Sequence, residues 1–66
     1  MSKLEFTKPE IAYIKSKLYF SDREEEVLDM WLRDYTNKEI AEEISVSVST
    51  VVRIKTKITS KIMKVL

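Results

Sequence analysis

Residues 36–52 read Thr36-Asn37-Lys38-Glu39-Ile40-Ala41-Glu42-Glu43-Ile44-Ser45-Val46-Ser47-Val48-Ser49-Thr50-Val51-Val52. Two helix starts lie in this stretch, eleven residues apart. Thr36 followed by Glu39 at the third helical position is a capping box, in which each side chain satisfies a backbone N–H of the other. Ser47 begins a second cap, weaker because Thr50 stands where a box has Glu or Gln. Tyr35 with Ile40 and Val46 with Val51 add the apolar staple that fixes the angle at which the chain enters each helix. A short helix over 37–44 therefore gives way, through a tight turn, to a longer helix over 48–65. Its apolar residues Val51, Ile54, Ile58, Ile62 and Val65 keep a spacing of three or four. The β-branched run 46–52 invites a strand, but its Ser and Thr interruptions and the continuing helical spacing oppose one.

Moving toward the N-terminus, Ser21 and Glu24 form another box, and Thr7 and Glu10 a fourth start, with Pro9 in its first turn and Phe6 stapled to Ile11. Helices are expected over 8–19 and 22–33. Ile11, Ile14 and Leu18 face inward in the first, and Val27, Leu28, Trp31 and Leu32 in the second. The chain has no glycine and only one proline, so caps rather than breakers mark the boundaries. The expected architecture is all-α. It is one four-helix helix-turn-helix domain spanning 1–66, without a wing, whose long last helix is the recognition helix.

Composition removes whole classes of chemistry. There is no cysteine, hence no disulfide or thiolate site, and no histidine, the usual general base and metal ligand. An enzyme is not expected, and no cofactor, metal or small-molecule ligand is implied. The acids Asp22, Glu24, Glu25, Glu26 and Asp29 suit a helix N-terminus, where the dipole favours them, better than an ion site. Trp31, Tyr35 and Phe20 have core spacing rather than that of a base-stacking platform. No apolar run reaches the roughly 18 residues of a membrane span, and the first residues lack the pattern of a secretory signal.

Net charge is only +1, but it is unevenly placed. Residues 1–46 hold seven bases and eleven acids. Residues 47–66 hold Arg53, Lys55, Lys57, Lys61 and Lys64 and no acid. A surface helix usually mixes Glu with Lys for pairing four residues apart. An acid-free helix on an acidic body is instead a directed electrostatic footprint.

At 3.6 residues per turn, Val51, Lys55, Ile58 and Ile62 share one side of this helix. The other side presents Ser49, Arg53, Thr56, Lys57, Ser60 and Lys64, with Val52 at its margin. In a major groove Arg53 can bond two guanine acceptors and Val52 can touch a thymine methyl. Lys57, Lys61 and Lys64 suit phosphates, as do Ser47 and Thr50 at the helix N-terminus.

Residues 20–61, about two thirds of the chain, resemble the DNA-binding module of LuxR-type (GerE-like) regulators, and more loosely region 4 of bacterial sigma factors. The matching residues are Arg23-Glu24, Val27-Leu28, Asn37-Lys38-Glu39-Ile40-Ala41, Ser47, Thr50-Val51, Ile58 and Lys61. The resemblance implies a bacterial or phage transcription regulator of the cytoplasm and nucleoid that binds double-stranded DNA. Lys38 and Thr50 would then lie near phosphates, and Val52, Arg53 and Thr56 would face bases. Three departures stand out. Asp34 and Ser45 occupy turns where the family has glycine or a small residue, Val52 replaces a base-facing lysine, and the family's last short helix is missing.

The apolar tip Ile62, Met63, Val65 and Leu66 has two readings of equal weight: a homodimer interface, or a surface that the N-terminal helix covers within one chain. A rival function is a sigma-like module whose acidic body contacts RNA polymerase or another regulator. An RNA target fits less well, because the basic face lacks aromatic residues for stacking.

Overall fold

The computed structural model describes residues 6–65. They form α1 (Lys8–Lys17), α2 (Asp22–Leu32), α3 (Asn37–Ile44) and α4 (Val48–Val65), with no strand among the described residues. All four starts fall where the caps put them. At Thr7, Ser21 and Thr36 both halves of the capping box are made. At Ser47 the side chain accepts from the Thr50 N–H at 3.2 Å, and the two hydroxyls lie 2.9 Å apart in place of the missing Glu bond.

Two ends differ from expectation. α1 stops at Lys17 rather than residue 19, because Leu18 turns extended (φ −120°) once its N–H has bonded to the Ile14 carbonyl. That turn sends Phe20 into the core and leaves Tyr19 outside. α2 ends at Leu32, one residue before the expected boundary. Asp34 then takes a left-handed conformation at φ 66°, and its N–H and that of Tyr35 cap the Trp31 and Met30 carbonyls at 3.1 Å. This is the bonding pattern that glycine usually permits. Ser45 does the same after α3, at φ 56°, with the Val46 N–H on the Ala41 carbonyl. The turns of the resemblance are thus kept without glycine. The cost is on the order of 1–2 kcal/mol for each residue with a Cβ.

The 18 residues of α4 span about 27 Å, nearly the whole 29 Å length of the molecule. α4 packs on all three other helices, and α2 and α3 also touch each other. The core is Ile14, Phe20, Val27, Leu28, Trp31, Ile40, Ala41, Val51, Ile58 and Ile62, with Val27, Ile40, Val51 and Ile58 fully enclosed. Phe6, Tyr35 and Val46, the staple residues before three caps, pack against it. A central α4 gripped on one side leaves its other side to solvent, and that side is the candidate site.

Candidate nucleic-acid interface

α3 and α4 meet at the Ser45–Ser47 turn, and a side chain from α2 braces the junction. The Arg23 guanidinium donates to the Ile44 carbonyl at 2.8 Å, satisfying one of the acceptors that the end of α3 leaves open. Arg23 belongs to the motif that carries the family resemblance, yet its partner lies 21 residues away, beyond the reach of local pattern.

Lys55 is the second brace. The helical wheel puts it on the inner side of α4, and it is only 3 % exposed. Its ammonium bonds the Asn37 side-chain oxygen at the start of α3 and lies 4.5 Å from the centre of the Trp31 ring on α2. Three helices are therefore tied at one cation. Burial pushes the Lys55 pKa below its ordinary value, because the charged form loses hydration that one amide oxygen and a π-face replace only in part. Lys55 is thus structural, although it counts toward the basic charge of α4.

Lys61, expected to suit a phosphate, has partners within the fold and stays partly exposed. Its Nζ lies 2.7 Å from Glu24 Oε1 and 3.0 Å from the Tyr19 carbonyl, and 5.4 Å from the centre of the Phe20 ring. The same Glu24 oxygen closes the Ser21 capping box. The bond from Lys61 holds the Glu24 carboxyl below its ordinary value of 4.5, against the opposing pull of burial. A lowered folded-state pKa contributes stability that is complete above the unfolded value and is lost as pH falls through the folded value. Glu24→Gln should accordingly lower stability at neutral pH by about 1 kcal/mol, since Lys61 stays partly solvated. It should also flatten the loss of stability that the native chain shows below about pH 4.5. Thermal unfolding followed by circular dichroism across that range checks both, and parallel acid profiles for the two proteins would refute the assignment.

The outward side of α4 carries what remains. Ser49, Val52, Arg53, Thr56, Lys57, Ser60 and Lys64 are all exposed. Among the described residues Arg53, Lys57 and Lys64 form no ion pair. No carboxylate stands on α4, so these cations are unopposed along the helix. At its start Ser47 Oγ lies 3.1 Å from Ser49 Oγ and 2.9 Å from Thr50 Oγ1, a hydroxyl cluster beside the N–H groups of the first turn. Lys38 is exposed on the first turn of α3. An open groove between α4 and the start of α2 is lined by Ser21, Arg23, Glu24, Ile54, Thr56, Lys57, Ser60, Lys61 and Lys64, so the Glu24–Lys61 pair belongs to its wall.

The C-terminal tip divides. Ile62 is buried and shares a small apolar cleft with Phe6, Ile11, Ile14, Leu28 and Leu32, so the N-terminal segment covers this part of the tip within one chain. Val65 is half-buried, Met63 is 70 % exposed, and Leu66 lies outside the described residues. The acids at the start of α2 form no group able to hold a metal ion among the described residues. No described helix is long and apolar enough to cross a membrane.

A short capped helix, a left-handed turn and a longer helix with a cationic, carboxylate-free outer side define a helix-turn-helix DNA-binding domain. The family model for bacterial regulatory proteins of the luxR family (GerE) matches residues 18–65, and the chain belongs to that family. Its general role is therefore DNA binding in transcription regulation. Searches of curated proteins and of solved structures gave no significant match.

Proposed function

We propose that the chain binds double-stranded DNA sequence-specifically, with the first half of α4 in the major groove and the neighbouring hydroxyls and lysines on the backbone. The observation that carries this reading is the outer side of α4. Lys55 is occupied by Asn37 and Trp31 and Lys61 by Glu24, while Arg53, Lys57 and Lys64 stay exposed on the outer side of a helix that carries no carboxylate of its own. A purely structural amphipathic helix has no need of that separation.

In this docking Arg53 reads a guanine through its paired donors, with Val52 and Thr56 beside it on the base edges. Lys57 and Lys64 hold phosphates on one flank, and Lys38 with Ser47, Ser49, Thr50 and Ser60 complete the backbone contacts. Lys61 fixes the start of α2 against α4 and, partly exposed in the groove wall, adds its positive charge beside Lys57 and Lys64. Family membership and the exposed side chains support these roles.

Lys57→Ala should weaken binding to every duplex alike and make the slope of log affinity against log salt shallower by about one unit. Gel shifts with random-sequence duplex over a salt series provide the measurement. An unchanged slope would remove Lys57 from the backbone contacts.

A second reading has one observation in its favour: Glu25, Glu26, Glu42 and Glu43 are exposed on α2 and α3 and would suit a basic protein partner such as RNA polymerase. The same salt series separates the two, because salt-independent absence of DNA binding would leave only the partner role.

A further inference from the structure

The exposed residues of α4 are polar except Val48 and Val52 in its first half and Met63 near its end. Val48 is 46 % exposed and Val52 is 37 % exposed, whereas Val51 between them is fully buried. Thr56, four residues on, is exposed, but its hydroxyl donates to the Val52 carbonyl at 2.9 Å, so its hydrogen-bonding hydrogen is taken up by the helix itself and its methyl becomes the group it has to offer a partner. Three methyl-bearing, β-branched side chains thus recur every four residues on the first half of the helix. None of them belongs to the core cluster, and β-branched residues hold a helix less well than Ala, Lys or Glu would at exposed positions.

We infer that Val48, Val52 and Thr56 form a methyl strip that reads thymine C5-methyl groups, and that the target half-site carries neighbouring A·T pairs beside the guanine contacted by Arg53. The inference rests on the docking proposed above and specifies its target. In the major groove the thymine methyl is the one apolar feature a base pair offers, and aliphatic side chains are its natural contacts. From residue 48 to residue 56 the helix axis advances about 12 Å, roughly three to four base steps at 3.4 Å each. The strip is therefore long enough for more than one thymine. Arg53 adjoins Val52 in sequence and is exposed beside the strip, which places hydrogen-bond readout and methyl readout side by side.

Uracil differs from thymine only by that methyl, so it isolates the contact without changing base pairing. Duplexes bound by the full chain are selected from a random-sequence pool and resynthesised with uracil at each thymine in turn. Substitution at two or more positions should weaken binding about fourfold each, the effect of one buried methyl. Val48→Ala and Val52→Ala should each abolish the sensitivity at a different one of those positions. Both valines are exposed and alanine favours helix, so the variants keep the fold. Sensitivity at fewer than two positions, or sensitivity that survives in both variants, would overturn the strip while leaving DNA binding intact. Absence of salt-dependent binding to any duplex would instead overturn the docking on which the strip rests.

Discussion

Replacing Trp31 by alanine is expected to leave most of the chain unfolded at room temperature. The indole is 5 % exposed, on the side of α2 that faces α4. Removing a buried large aromatic costs about 3–5 kcal/mol in lost burial and in the cavity left behind. A single core in a chain of 66 residues rarely supplies more than about 3–5 kcal/mol in total. The substitution therefore takes the whole margin. It also strips Lys55 of the ring beneath its ammonium and leaves a buried cation with one amide partner, which adds to the loss. Trp31→Phe keeps an aromatic face there and should remain folded with a lower Tm. Circular dichroism melts of the three proteins decide the matter. A cooperative transition in the alanine variant near that of the native chain would show that the Trp31–Lys55–Asn37 junction does not hold the helices together.

Arg53→Ala is expected to act on recognition alone. The side chain is exposed and forms no ion pair among the described residues, so stability should change by no more than about 0.5 kcal/mol. Affinity for the preferred duplex should fall by roughly 1–3 kcal/mol, and discrimination at one base pair should relax. Binding to random duplex should fall much less, since one cation among several contributes to the sequence-independent part. This contrast with Lys57→Ala is the diagnostic one: one variant loses preference, the other loses grip. Equal losses on preferred and random duplexes would move Arg53 from the bases to the backbone.

The parts of this fold that sequence discloses are those fixed by near neighbours. Thr7, Ser21, Thr36 and Ser47 mark the helix starts because a cap bonds residues three apart. The outer side of α4 follows from helical period in the same way. The ends are harder without glycine, and Leu18 leaves the helix at a position that the apolar spacing alone would have included. Contacts between distant residues escape local pattern altogether. Lys61 meets Glu24 across 37 residues and Arg23 meets Ile44 across 21. The acid that pairs with a lysine of the acid-free helix comes from another element, which local pattern does not disclose. Spacing alone puts Lys55 on the inner side, but the asparagine and indole that make a buried ammonium tolerable come from α3 and α2. Sequence leaves the tip residue Ile62 open between a partner chain and the N-terminal helix, and packing with Phe6, Ile11 and Ile14 accounts for its burial within one chain.

The junction at Lys55 also gives the molecule an optical readout. Trp31 is the single tryptophan, and the ammonium over its ring is carried by α4, the helix proposed to enter the groove. Indole emission responds to nearby charge and to solvent, so any tilt or slide of α4 against α2 is written into the colour and intensity of that one fluorophore. No label has to be attached. Titrating duplex into the native chain reports whether α4 docks as a rigid rod, with emission unchanged, or shifts on its bed as it engages.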